Sequence, residues 1–371
     1  MKTILITGAE GFIGKNLVEV LKRHEGLEIK KFDIQDDIHA LESLLENADL
    51  IFHLAGINRP EKVEDFETGN VGLTDKIVKL LEKLDKSIPI FFSSSIQAAL
   101  DNPYGKSKKD AEDVLKVYSK KNRARVHIFR LPNVFGKWSR PNYNSVVATL
   151  CHNISRNLEI HISDENRELE LVYIDDVVRT FLTLIPGDGE DIDKIYYEID
   201  RVFRLTLGEL AEKIYRLRDM RETLVVPDFD DDFMRCLYAT YLSFLDQKDF
   251  KYELEMKEDH RGNLAEILKS HHFGQIFVSK SYKGVIRGNH YHNTKIEKFC
   301  VVKGKAIIRL RNIFEEKIHS VYVSDENMEV VDIPPGYTHS VENLSDGEMI
   351  VLFWANEIFD PDNPDTYFEK V

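Results

Sequence analysis

The sequence predicts two domains of different class, an α/β domain built on a doubly wound parallel sheet and, after it, an all-β antiparallel barrel. Three observations carry this. The first two-thirds alternates short apolar runs with amphipathic helical stretches, the pattern of a parallel sheet covered by helices. From about Met256 the texture changes to short strand-like pieces punctuated by Gly, Pro and Asn. A length of 371 residues exceeds what one hydrophobic core usually serves, and a hydrophobic content of 43% is enough to fill two. The boundary is placed at residue 250, giving domains 1–250 and 251–371.

In order along the chain, Ile4–Ile6 reads as a strand, Lys15–Lys22 as a helix, Leu50–Leu54 as a strand, Asp75–Leu84 as a helix and Ile90–Ser93 as a strand. Asp228–Tyr252 is rich in acidic and aromatic residues, and its opening Asp230-Asp231-Asp232 reads as a solvated face or the start of a helix. Gln275–Lys280, Ala306–Arg311, His319–Val323 and Glu348–Trp354 are the strands of the second domain. A formal net charge of −14 argues against nucleic-acid or anionic-membrane binding, so an anionic substrate must be held by local arginines. Cys151, Cys236 and Cys300 are odd in number and far apart, which suits buried thiols in a reducing, cytoplasmic compartment. Met1-Lys2-Thr3 runs straight into an apolar strand, so no signal peptide is expected, and no stretch approaches the ~20 apolar residues of a membrane span.

Thr7-Gly8-Ala9-Glu10-Gly11-Phe12-Ile13-Gly14 lies between the first strand and a helix. Backbone amides and the helix dipole cradle a pyrophosphate at such a place, and glycine lets the backbone approach it. Asp33 ends the second apolar run, 19 positions after Gly14, where an acid accepts from the adenosine ribose 2′-hydroxyl and favours NADH; an exposed turn is its other reading. Tyr104-Gly105-Lys106-Ser107-Lys108 follows Ser93-Ser94-Ser95 at a strand end. Tyr and Lys four apart share a helical face, so the Lys108 ammonium can lower the Tyr104 pKa and hold the nicotinamide ribose, while a serine hydroxyl shares the substrate carbonyl.

These residues resemble the extended short-chain dehydrogenase/reductases of the sugar-nucleotide branch, over roughly residues 1–245. Further marks are Phe52-His53-Leu54-Ala55-Gly56, expected after the fourth strand, Asn70-Val71, Arg130–Gly136, and Arg167 upstream of Tyr173–Val177. The resemblance implies a Rossmann-type fold with a small substrate subdomain and a catalytic trio of Ser95, Tyr104 and Lys108. It also implies a cofactor site at Gly8, Gly11, Phe12, Ile13, Gly14, Asp33, Leu54, Ala55, Gly56 and Lys108, with Asn133 on the substrate and Arg167 on its diphosphate. Only nine positions separate Ser95 from Tyr104, shorter than is usual there, so Ser94 stands as an alternative.

In the second domain His290 and His292 share a strand face, Glu297 follows, and His339 comes from a later strand. Three imidazoles and a carboxylate make a site for Zn²⁺ or another divalent metal. With Gly284, Gly304, Pro334, Gly336 and Asn343, this spacing resembles the two motifs of the cupin superfamily, although Met328 stands where the second motif usually has glycine. Asp259-His260-Arg261-Gly262 and Lys283–Tyr291 resemble the 3,5-epimerases of 4-keto-6-deoxy sugar nucleotides. There the counterpart of His290 is the base and that of Arg287 grips the diphosphate, with Arg261 in the companion motif. One imidazole nitrogen cannot be base and ligand at once. His290 is read here as a ligand, and the base is left open.

A 4-ketone acidifies the C3 hydrogen and is also what a Ser-Tyr-Lys reductase reduces. The pairing resembles a family of bifunctional capsular polysaccharide enzymes. That family implies 3-epimerisation in the cupin and NADPH-dependent C4 reduction to UDP-2-acetamido-2,6-dideoxy-L-talose, a precursor of UDP-N-acetyl-L-fucosamine. It also implies zinc, a homodimer and an upstream dehydratase that supplies the keto sugar. NADPH is favoured by the direction of synthesis against NADH from Asp33. Two rival readings remain, an NAD-retaining 4-epimerase or dehydratase with a structural cupin, and a non-catalytic cofactor-sensing scaffold. Ile96 and Gln97 after Ser95 disfavour dehydration, and the Ser-Tyr-Lys set disfavours the scaffold.

Overall fold

The computed structural model describes residues 1–60, 62–185, 194–254, 257–259, 262–264, 268, 274–357 and 360–371. They form two compact units, Met1–Ser145 with Glu168–Leu205, and Val146–Arg167 with Thr206–Val371.

The first unit is built on β1 (Lys2–Thr7), α1 (Phe12–Leu21), β2 (Leu27–Phe32), α2 (Ala40–Glu46), β3 (Leu50–His53), α3 (Glu64–Phe66) and α4 (Leu73–Lys83). It continues with β4 (Ile90–Ser95), α5 (Pro103–Asn122), β5 (Val126–Leu131) and β6 (Asn133–Phe135). After α6 (Val146–Ser155) come β7 (Glu168–Tyr173), α7 (Ile174–Thr183), β8 (Tyr196–Tyr197) and β9 (Phe203–Thr206). The main sheet runs β2-β1-β3-β4-β5-β8, and β6, β7 and β9 form a small second sheet. The pairs from β2 through β8 are parallel. Strands covered on both faces must be apolar throughout, which is why Ile4-Leu5-Ile6 and Ile90-Phe91-Phe92 do not alternate with polar residues. Leu5, Ile51, Phe92 and Ile128 pack on one face with Leu41, Leu45, Ile77, Leu81, Leu115 and Tyr118 of α2, α4 and α5. Their chain neighbours point the other way, where Phe52 meets Phe91 at 4.7 Å and Phe129 meets Phe181 of α7 at 4.8 Å. One expectation is corrected: Phe52-His53 close the third strand, not the fourth. Between β2 and β3 the apolar residues Ile38, Leu41, Leu44 and Leu45 recur at helical spacing, so that segment forms α2 and no strand.

In the second unit α6 packs with α8 (Leu207–Thr223) and α9 (Asp232–Ser243). Thr206 and Glu209 form a capping box on α8, and Asp231 caps α9 by accepting from Phe233 and Met234 N–H, so the acidic run is a helix start. The strands are β10 (Lys251–Glu253), β11 (Lys257–Asp259), β12 (Gly262–Leu264), β13 (Gln275–Ser281), β14 (Ile286–Tyr291) and β15 (Glu297–Lys303). β16 (Lys305–Asn312), β17 (Ile318–Ser324), β18 (Glu329–Ile333), β19 (Tyr337–Asn343), β20 (Met349–Ala355) and β21 (Tyr367–Phe368) complete them. They make two antiparallel five-stranded sheets, β10-β18-β15-β20-β13 and β17-β16-β19-β14-β21, with β11 and β12 as a separate pair. The inner faces meet, as Phe299 against His339 shows at 5.5 Å between rings. Along β15 the side chains alternate. Glu297 and Phe299 face inward, whereas Lys298 turns to Tyr252 and to Asp332 of β18. Arg221 of α8 donates to the other oxygen of Asp332 at 2.6 Å, and Phe229 packs on Trp354 at 5.7 Å, so helices cover the outer face of that sheet.

Candidate functional site

In the first unit the glycine loop follows β1, beside the point where the strand order reverses between β1 and β3. Gly8 has φ +69°, and a Cβ there would stand 2.6 Å from the Ala55 nitrogen; one on Gly14 would stand 2.1 Å from the Gly8 oxygen. Only glycine fits at either place. Gly11 is the N-cap of α1 and offers no side-chain cap, so amides of the first turn are left for a ligand. Asp33 ends just past β2, and its carboxylate accepts from Glu10 N–H at 2.7 Å, which ties the strand end to the loop. Leu54, Ala55 and Gly56 follow β3, and Ala55 N–H donates to Thr7 Oγ1 at 3.3 Å. Phe12 and Ile13 open α1. This cradle fits a dinucleotide.

Asn102 caps α5 by accepting from Gly105 N–H at 2.8 Å, and Pro103 takes the first helical position, which fixes Tyr104 in the first turn. Lys108 lies one turn on and donates to the Ser93 carbonyl at 3.0 Å. Burial pushes the Tyr104 phenol up to about 12, and a hydrogen bond with Ser95 works against that rise. Burial also brings Lys108 down to about 8, with the Glu112 carboxylate opposing. Ser94 turns away: it donates to the fully buried Glu112 at 2.6 Å, which also accepts from Arg130 and from the Tyr196 hydroxyl. A Cβ on Gly56 would meet both Asn70 Oδ1 and Lys108 Nζ at 3.0 Å, so the segment after β3 runs directly beside the lysine. His53 bridges Thr7 and Thr74 and is driven to about 3 by burial and then by Lys108, so it is neutral. Glu112, Asn70 and His53 are parts of this site that motif spacing did not assign a role. Glu112 was within reach, because it falls four positions after Lys108 on the same helical face.

Asn133 begins β6 and donates to the Glu170 carbonyl at 3.4 Å. Arg167 is exposed and belongs to the second unit, where its carbonyl accepts from Leu207 N–H. Arg287 on β14 donates to Ser281 Oγ at 2.9 Å. Arg261 lies outside the described residues.

The structure gathers His290, His292, Glu297 and His339, whose ligand atoms all lie within 4.8 Å of one another. His292 Nε2 stands 3.1 Å and His339 Nε2 3.4 Å from Glu297 Oε2. Both nitrogens are buried without a well-aligned hydrogen-bond partner. The Nδ1 of His292 donates to the Asp365 carbonyl at 2.7 Å, and that of His339 faces the Tyr337 carbonyl at 3.3 Å. Outer partners of this kind turn Nε2 lone pairs toward a metal. Burial would raise the Glu297 carboxyl, but the two histidines outweigh it and hold it well below the usual range. Burial, and then the neighbouring imidazoles, lower His290 to about 4. A carboxylate oxygen among three imidazoles, all within reach of one point, fits a divalent cation.

Fold and site define a dinucleotide-dependent enzyme of the short-chain type whose chain continues into a double-sheeted barrel. The chain belongs to the NAD dependent epimerase/dehydratase family, whose model matches residues 4–196, and residues 257–367 match the Polysaccharide biosynthesis C-terminal domain. It is 44% identical over 364 residues to the UDP-2-acetamido-2,6-beta-L-arabino-hexul-4-ose reductase of Pseudomonas aeruginosa PA103, covering 98% of this chain and 97% of that protein. Among solved structures it is similar to the capsular polysaccharide assembling protein CapF from Staphylococcus aureus, with 44% identity, full coverage of both chains and a TM-score of 0.67. The UDP-glucuronic acid 4-epimerase of Bacillus cereus in complex with NAD shares the fold of the first part, at 19% identity and a TM-score of 0.52 over 58% of this chain and 83% of that one.

Proposed function

We propose that this chain carries out two steps on a UDP-linked 2-acetamido-2,6-dideoxy-4-hexulose in capsular or surface polysaccharide precursor synthesis. Residues 251–371 epimerise C3, and residues 1–250 reduce the C4 ketone with NADPH to UDP-2-acetamido-2,6-dideoxy-L-talose, the precursor of UDP-N-acetyl-L-fucosamine. The observation that carries the reading is the Ser95–Tyr104–Lys108 arrangement beside the glycine loop, in a chain alike over its whole length to a reductase of such a ketone.

When bound, the nicotinamide supplies the hydride for the carbonyl carbon. The loop of Gly8, Gly11 and Gly14 holds its pyrophosphate, Asp33 faces the adenosine ribose, and Lys108 the nicotinamide ribose. Tyr104, protonated at neutral pH, gives its phenolic proton to the C4 oxygen as charge develops there, and Ser95 holds that oxygen with its hydroxyl. Ser94 is committed to Glu112, which favours Ser95 for the role. In the barrel a zinc ion held by His290, His292, Glu297 and His339 would supply Lewis-acid stabilisation of an enolate. Arg287 and Arg261 take the diphosphate there, and Asn133 and Arg167 take sugar and diphosphate in the reductase. The protein acts in the cytoplasm as a homodimer downstream of a dehydratase. No helix of the described residues is long and apolar enough to cross a membrane.

The test is to follow a UDP-4-keto-2-acetamido-2,6-dideoxyhexose by NMR in deuterated water, with and without NADPH or NADH. Deuterium at C3 without nucleotide, then cofactor-dependent loss of the ketone, is expected. Reduction with C3 still protonated removes the epimerase half, and no reduction with either nucleotide removes the reductase half.

A further inference from the structure

His292 and Glu297 stand at the two ends of a short loop between β14 and β15, and the C-terminal tail is what holds that loop. Asp365 Oδ1 accepts from Asn293 N–H at 3.0 Å. Its Oδ2 accepts from Thr294 N–H at 2.8 Å, the Thr294 hydroxyl at 2.9 Å and Lys295 N–H at 2.7 Å. Three successive amides converging on one carboxylate form an anion nest, here filled by the chain itself. The backbone of the same residue accepts from His292 Nδ1 at 2.7 Å, and Lys295 Nζ donates to the Pro364 carbonyl at 2.7 Å. Asp365 sits at φ +37°, in the left-handed region that a non-glycine residue enters only where its surroundings hold it. Beyond it, β21 pairs antiparallel with β14 at His290 and Tyr291, alongside the first ligand.

We propose that Asp365 is a positioning residue for the cation site, its carboxylate fixing the ligand loop and its carbonyl fixing the His292 tautomer that presents Nε2 to the ion. This rests on the reading of the four side chains as a metal site. The two functions of Asp365 are coupled. The side-chain bonds keep the backbone left-handed, and that conformation aims the carbonyl at Nδ1. Replacing the carboxylate leaves three loop amides without their acceptor and frees the imidazole to turn. Asparagine keeps the size but sets an NH₂ group against donors, so it loses most of the effect as well.

The experiment uses the full-length protein stripped of metal and titrated with Zn²⁺ against a chromophoric chelator, with the visible spectrum of the Co²⁺ form as a readout of geometry. Asp365→Asn and Asp365→Ala are expected to bind Zn²⁺ about 10–100-fold more weakly than the unaltered chain, the range for partners that orient a metal ligand. Their Co²⁺ spectra shift, while the melting temperature of the metal-free form stays close to that of the parent. Glu369→Ala is the control, since Glu369 ties the tail to Arg311 at 2.9 Å without touching the loop, and its Zn²⁺ affinity is expected to be unchanged. Parent-like affinity and spectra in both Asp365 variants would overturn the proposal, as would an equal loss in Glu369→Ala, which would make tail docking as a whole the cause. If the unaltered chain takes up no stoichiometric Zn²⁺ or Co²⁺, it is the metal-site reading that fails.

Discussion

Burial drops Lys108 to about 8, and Glu112 opposes that drop from one turn further along the helix. The lysine is therefore charged below pH 8 and loses its proton above it, and the support proposed for it on the cofactor ribose goes with the proton. Ketone reduction is expected to decline on the alkaline side of about pH 8. The other groups facing the ammonium do not titrate in this window, since His53 is neutral with a value of about 3 and Tyr104 stays protonated to about 12. Glu112→Gln removes the charge that raises Lys108, so the alkaline limb of the kcat profile moves to lower pH, and a purely structural loss would lower kcat without moving the limb. At this scale the glycines, the Tyr-Lys pair and the run His290, His292, Glu297 were legible because each is a local pattern of short spacing, and His339 joined them through its place in a second motif. Asp365 was not. It reaches Lys295 across 70 positions of sequence, and no periodicity or spacing links a tail aspartate to a loop amide.

At the level of elements, α5 carries Tyr104, the proton donor proposed above, in its least secure part, the first turn, where intrahelical bonds are missing. Asn102 supplies the one side-chain cap there. Asn102→Ala is expected to cost about 1 kcal/mol of stability while lowering kcat by more than that loss of folded protein explains, because Tyr104 moves with the frayed turn. Thermal melting and kcat measured on the same preparation separate the two effects. In the parallel sheet β1, β3 and β4, and in the barrel β13, β16, β17 and β20, could be placed from their apolar runs to within a residue or two. The expectation that put Phe52-His53 after a fourth strand counted one strand too many, because between β2 and β3 Ile38, Leu41, Leu44 and Leu45 fall at helical spacing and build α2 instead. The acidic run resolved into a cap at Asp231, a role its composition allowed but did not single out among three aspartates.

Across the molecule, the expected chain boundary at residue 250 and the division by packing describe different things. Helices α6, α8 and α9 share a compact unit with the barrel, joined to it by side chains that no sequence pattern pairs. The clearest is Asp332, fully buried and shared between Lys298 and Arg221. Arg221 is itself largely buried, so its loss leaves an undercompensated charge cluster. Arg221→Ala is expected to destabilise the second unit by about 3–5 kcal/mol, seen as a lowered denaturation midpoint. A rise or no change would mean that Lys298 alone neutralises the aspartate.

All three cysteines lie in that same unit, on α6, α9 and β15, and all are buried. Burial pushes Cys151 well above the ordinary thiol range and Cys300 up to about 11. The thiolate is the reactive form, so the native chain is closed to alkylating reagents and each sulfur becomes a clock for one layer of the unit. Equal labelling rates at the three positions would mark a single cooperative opening. Earlier labelling of Cys151 and Cys236 than of Cys300 would mark helices peeling from a barrel that stays shut. The first unit keeps no such clock, and one engineered surface thiol there would take a dye alone.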